Sequence, residues 1–148
     1  MPSDLKFDLK YRVPTHILFA ALTIPEQITR YTQCKAEFSK EENGAFNFYD
    51  GFITGTNTKI TENSQLVQKW KFNNLPSEMD VTINLKERPN QECQVFVIVK
   101  NIPEKDNQNG TVDKKNIENG FLGQIFHKIS NYMGYPMNNE ESSSDESD

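Results

Sequence analysis

Residues 116–133 read NIENGFLGQIFHKISNYM. Ile117, Phe121, Leu122, Ile125, Phe126, Ile129, Tyr132 and Met133 recur there at spacings of three and four, the period of one helical face. Asn116, Gln124, His127, Lys128 and Asn131 occupy the opposite face. The pattern predicts a long helix from Asn116 to Met133, with Phe121, Ile125 and Ile129 buried and Gln124 and Lys128 toward water. Gly134 stands where a left-handed cap is wanted, and Pro136 beyond it blocks continuation. Most other periodic segments read as strands. Half-buried strands need one large apolar partner over their inner face, and this helix is that partner.

Working outward, Phe7, Leu9, Tyr11 and Val13 alternate with Lys6, Asp8, Lys10 and Arg12, which predicts a strand from Leu5 to Val13 with one wet face. Ile17, Leu18, Ala21 and Leu22 then take helical spacing after Pro14. Thr23 and Glu26 form a capping-box pattern with Pro25 in the first turn, opening a second short helix through Tyr31. Ala36 with Phe38 and Phe46 with Phe48 mark two strands, and Asp50-Gly51 signals the next hairpin. Phe52–Ile60 is extended. Leu66, Gln68, Trp70 and Phe72 alternate with Val67, Lys69 and Lys71, and Pro76 separates that strand from one through Val81, Ile83 and Leu85. The strand at Val95, Val97 and Val99 also carries Phe96 and Ile98, the pattern of a strand packed on both faces. Residues 103–113 are polar and read as a mobile surface loop. The order is strand, two helices, six strands, long helix. It predicts an α+β fold, a curved antiparallel sheet around the final helix.

The chain has 148 residues and a formal charge of −5, and fits one domain with a sizeable core. Glu140, Glu141, Asp145, Glu146 and Asp148 follow the helix with no Lys or Arg, so the rest of the chain is formally neutral. A neutral body with scattered cations lacks the footprint of a nucleic-acid binder. Residues 1–137 therefore read as the domain and 138–148 as a disordered acidic tail, too poor in apolar surface to offset its ordering entropy. Ser142 and Ser143 each have an acid three residues on, which makes them candidate phosphorylation sites. Cys34 and Cys93 show no metal-ligand spacing and read as reduced structural cysteines, with a disulfide between them left open. His16 and His127 are the two histidines, far apart in sequence, and no nucleophile, phosphate-loop, metalloprotease or dinucleotide motif is present. Neither an enzyme nor a cofactor or metal site is expected. No signal peptide or membrane-length apolar run is seen, which places the chain in the cytoplasm.

Gly44, Phe46, Asp50, Gly51 and Gly55 compose G-x-F-x-x-x-D-G-x-x-x-G, with Trp70 to Phe72 and Pro76 following. Val13-Pro14, Phe19 to Thr23, Pro25-Glu26, Ile102-Pro103, Gly120-Phe121, Phe126, Ile129 and Gly134-Tyr135 extend the set. Together they resemble the C-terminal domain of the activator of 90-kDa heat-shock-protein ATPase family, within the START-like, birch-allergen-like superfamily. Phe121 departs from the Trp that eukaryotic members usually carry, and the family's N-terminal chaperone-gripping domain has no counterpart in this sequence.

The resemblance implies a helix-grip fold, a seven-stranded curved antiparallel sheet wrapped on the C-terminal helix with two short helices after the first strand. It also implies a monomeric co-chaperone module that binds the 90-kDa heat-shock chaperone and stimulates its ATPase by favouring the closed state. Lys69 and Lys71, with Asn73, Asn74 and Pro76 beyond them, would then offer a cationic, hydrogen-bonding surface to an acidic partner patch. The alternative function is that of a START-like carrier holding a small hydrophobic ligand among Phe46, Phe48, Trp70, Phe72, Phe121, Ile125 and Ile129. Their bulk argues for a filled core instead.

Overall fold

The computed structural model describes residues 4–133 and the backbone of 137–139. The chain order is β1 (Leu5–Tyr11), α1 (Thr15–Thr23), α2 (Pro25–Thr32), β2 (Glu37–Phe38), β3 (Gly44–Phe48), β4 (Ile53–Thr61), β5 (Gln65–Phe72), β6 (Met79–Arg88) and β7 (Glu92–Lys100). The closing helix follows in three consecutive segments: α3 (Lys114–Phe121), a π-helical turn (Leu122–Phe126) and α4 (His127–Met133). The strands form one antiparallel sheet ordered β2-β3-β4-β5-β6-β7-β1. An eighth short strand, β8 (Met137–Asn139), adds to the free edge of β1, with Tyr11 opposite Met137 and Leu9 opposite Asn139. The expected seven-stranded helix-grip sheet is present. The backbone of Asn138 and Asn139 pairs with β1, so the boundary drawn at 137/138 falls inside a strand; residues 140–148, including Ser142 and Ser143, lie outside the described residues.

Period-two alternation decides which face is inner. Leu5, Phe7, Leu9 and Tyr11 are buried while Lys6 is exposed, and Leu66, Gln68, Trp70 and Phe72 are buried beside an exposed Lys69. On β7, Val95, Val97 and Val99 are buried, but Phe96 and Ile98 are only half-buried. Gln94 on that outer face is buried and donates to Asp8, so the face is only partly covered, which corrects the expectation of full packing on both sides. β1 stops at Tyr11, two residues before the expected Val13, and Pro14 is already the N-cap of α1.

The closing helix begins two residues earlier than the apolar period suggests. Asp113 caps it, its carboxylate accepting from the Lys115 N–H at 3.0 Å. Phe121, Ile125 and Ile129 are buried against the sheet as expected, whereas Gln124 and Lys128 are half-buried. The predicted single α-helix is interrupted at Leu122–Phe126, where the His127 N–H reaches back five residues to the Leu122 carbonyl. Two tyrosines meet this turn, one from β1 and one from the β3–β4 hairpin: the Tyr11 hydroxyl donates to the Phe126 carbonyl at 2.8 Å and the Tyr49 hydroxyl to the Gln124 carbonyl at 2.6 Å. The Gly134 cap lies outside the described residues.

The capping box read from Thr23 and Glu26 does not form. Ile24 is the N-cap of α2, with Pro25 at its first position, so Thr23 is one residue too early. Its hydroxyl donates instead to the Phe19 carbonyl inside α1, at 2.9 Å. Residues 103–113 are likewise better ordered than their composition suggests. Lys105 pairs with Thr111, and one Asp106 carboxylate oxygen accepts from the N–H groups of Gln108 and Gly110. Asn107 then ties the hairpin to the β5–β6 connection through the Asn74 and Asn73 carbonyls, at 2.9 and 3.2 Å.

Candidate functional site

Three regions are candidates for a functional site: the space between helix and sheet, the outer face of β5, and the end of the molecule where the 103–113 hairpin meets α3. The first is built by the glycine and aromatic motif. Phe46 on β3 lies opposite Gly55 on β4, and Gly55 lies opposite Trp70 on β5. A Cβ at Gly55 would stand 1.9 Å from the Lys69 carbonyl oxygen and 2.4 Å from the Phe46 ring, so only glycine lets that ring cross the strand toward Trp70. Gly51, at φ +93°, closes the preceding hairpin in a conformation that other residues rarely adopt.

The rings then run on from Phe46 to Phe48 and Trp70, at centroid separations of 5.1 and 5.5 Å, and from Trp70 to Phe121 at 4.7 Å. Phe72 packs edge-on against Phe121. All seven residues of the supposed ligand cavity come together, but as core. The void left among Trp70, Ile125 and their neighbours is about 10 Å³, room for one water at most.

A polar relay that the sequence did not reveal crosses the same inner face. The Trp70 indole donates to Gln68 at 2.6 Å, the Gln68 amide to Asn57 at 2.8 Å, and the Asn57 amide to the Ser39 carbonyl at 2.7 Å. Each buried amide thus has a partner. Gln68 and Asn57 occupy inward positions of alternating strands, a signal that could have pointed to the relay.

On the outer face of β5, Lys69 is exposed and Lys71 half-buried. Lys69 stands 2.6 Å from Asp80 of β6, which also accepts from Asn101. That hydrogen bond holds the Asp80 carboxyl below, and the Lys69 ammonium above, their usual ranges. The face therefore presents an ion pair and not a bare cation at Lys69. Asn73, Asn74 and Pro76 are exposed, with the carbonyls of Asn73 and Asn74 engaged by Asn107.

Those asparagines border the third region, a groove of about 200 Å³ between the β5–β6 connection, the 103–113 hairpin and α3. Phe52, Phe72, Leu75, Val112 and Ile117 form its apolar lining, and Asn74, Asp106, Asp113, Asn116 and Gln124 its polar rim. The sequence reading missed it because Val112 and Asp106 sat in a presumed loop. The Asp-x-x-x-Gly spacing of Asp106 and Gly110 was the local sign of a built turn.

His16 and His127 are both exposed on separate elements, and the described residues contain no group of three or more His, Cys, Asp or Glu able to hold a metal. Cys34 and Cys93 carry free thiols, and burial pushes the Cys93 thiol up. Among the described residues no helix is long and apolar enough to cross a membrane.

A sheet gripping a C-terminal helix, with aromatic side chains packed between them, defines a START-like helix-grip domain. The chain belongs to the Activator of Hsp90 ATPase homolog 1-like protein family, whose model matches residues 12–134. It is 30% identical over 114 residues to the activator of 90 kDa heat shock protein ATPase homolog of Dictyostelium discoideum, a match covering 74% of this chain and 27% of that protein. With human homolog 1 it is 24% identical over 119 residues, 80% of this chain and 33% of the relative. The chain thus spans about a quarter to a third of the length of these curated relatives. Among solved structures, an HSP90 activator from Plasmodium falciparum superposes with a TM-score of 0.85 at 27% identity, over 92% of this chain and 99% of that one.

Proposed function

We propose that this chain is a co-chaperone module that binds the 90-kDa heat-shock chaperone and raises its ATPase rate by preferring the closed state. Membership in the activator family carries the reading. It is supported by the likeness to the Plasmodium falciparum activator, which runs over nearly all of both chains. The packing between helix and sheet supports it too: the void among Trp70, Ile125 and their neighbours is about 10 Å³, far below the size of a small-molecule pocket.

The mechanism is linkage. A module that binds the closed chaperone ten times more tightly than the open one shifts that equilibrium by about 1.4 kcal/mol, and one with equal affinity for both shifts nothing. The module performs no chemistry of its own, acts as a monomer, and meets its partner in the cytosol. The decisive experiment measures chaperone ATP turnover and a closure-reporting fluorescence pair with increasing amounts of this chain. Turnover and closed population should rise together and saturate at one concentration. Saturable binding with neither change would refute activation.

A further inference from the structure

The groove between the 103–113 hairpin and α3 is a built feature. Its hairpin wall is fixed by the Asp106 turn and by Asn107, and Asp113 fixes the helix wall as the α3 cap. Its floor stays open because Gly120 carries no side chain; a Cβ there would press within 3.3 Å of the Phe72 ring. Phe52 and Val112 are only partly buried along its sides, and Phe52 leans on Phe72 at a ring separation of 5.9 Å.

At about 200 Å³ the space is below the range of about 300–1,000 Å³ for small-molecule pockets, and matches one large side chain. The rim holds two carboxylates, Asp106 and Asp113, with side-chain amides beside them, and among the described residues no cation lines it. Each carboxylate spends one oxygen on backbone N–H groups within its own turn. The nearby Lys105 turns its ammonium onto the Thr111 hydroxyl at 3.2 Å.

We propose that this groove is an anchor site that seats one large apolar side chain of a partner polypeptide whose flanking residues are basic. Burial of the anchor supplies affinity, and the two carboxylates select basic over acidic flanks. The inference deepens the partner-binding reading above by placing the docking surface at the hairpin end, away from the Lys69 face.

The test has two arms. In the first, the full chain labelled with ¹⁵N is titrated with a hexapeptide of Leu-Phe flanked on each side by two lysines. Controls carry glutamates in place of the lysines, or alanines in place of Leu-Phe. The basic peptide should shift the amides of Phe52, Asn74, Val112, Asn116 and Gly120 saturably, both controls should bind at least tenfold more weakly, and ~1 M salt, where the Debye length is about 3 Å, should weaken binding. The double variant Asp106→Asn with Asn116→Lys keeps the acceptor of the Asp106 turn and cancels the rim charge, leaving Asp113 opposed by one lysine. It should bind the basic peptide at least tenfold more weakly while giving an otherwise unchanged spectrum.

In the second arm the same variant is titrated against the closed chaperone. A tenfold loss, with Lys69→Glu unaffected, supports the groove as the docking surface; unchanged affinity overturns that assignment. Peptide shifts scattered over the surface, or equal shifts from the acidic control, overturn the anchor site itself. A chain that seats the peptide but never binds the chaperone refutes the proposed function and leaves the anchor site standing.

Discussion

Replacing Tyr11 by Phe tests how the sheet holds the closing helix. Tyr11 is fully buried on the inner face of β1, and its hydroxyl donates at 2.8 Å to the Phe126 carbonyl, 115 residues away in sequence. The substitution leaves the ring in place and removes only the donor. A typical intramolecular hydrogen bond has a net worth of about 0.5–1.5 kcal/mol, rising to about 1–3 where a buried partner is left unsatisfied and water cannot replace the donor. The expected loss is therefore about 1–3 kcal/mol, read from urea melts as a lower midpoint at unchanged slope.

Tyr49 makes the companion bond to Gln124 on the same π-helical turn, so the two substitutions should couple by at least about 0.5 kcal/mol in a double-mutant cycle. Burial raises both phenols, Tyr49 to about 12, so each stays neutral in the fold above the unfolded value of about 10. Raised folded values mean that this stability is complete below about pH 10 and is lost as pH climbs through the folded values. Tyr11→Phe should accordingly flatten the alkaline fall in stability. A loss under about 0.5 kcal/mol, with an unchanged alkaline slope, would show that the tyrosines do not clamp the turn.

Ile125→Ala deletes a buried contact of the closing helix and should cost about 2–5 kcal/mol in the same melts; a loss under half a kcal/mol would mean that the helix does not pack as described. Gly55→Ala forces a Cβ against the Lys69 carbonyl and the Phe46 ring, and overpacking of this kind should cost at least about 1–3 kcal/mol and alter near-ultraviolet circular dichroism from Trp70. Asp80→Asn removes an exposed ion pair, for which about 0–1 kcal/mol is expected. Because the folded Asp80 carboxyl is lowered, its contribution is present above the unfolded value of about 3.9 and lost as pH falls through the folded one. The variant should therefore differ from the parent at neutral pH and converge with it in acid.

Alternation at Phe7, Leu9 and Tyr11 and at Leu66, Gln68, Trp70 and Phe72 determined the strands and their inner faces, because a strand's side-chain period is fixed at two residues whatever surrounds it. The three-and-four spacing of Phe121, Ile125 and Ile129 determined the buried face of the closing helix in the same local way. The family, too, was legible in the turn glycines and aromatics around Gly55 and Trp70. Tertiary structure alone decided the rest. The π-helical turn accepts hydrogen bonds from tyrosines of β1 and the β3–β4 hairpin that lie more than 70 residues away, and no local period encodes such a bond. The Asn57–Gln68–Trp70 relay needed the pairing of β4 with β5 before two inward amides could satisfy each other. Whether seven large side chains enclose a cavity or fill it depends on their packing in three dimensions, since a shift the size of a methyl group separates the two outcomes. The groove likewise exists only where the 103–113 hairpin folds back onto α3, which joins residues as distant as Phe52 and Val112 along one wall.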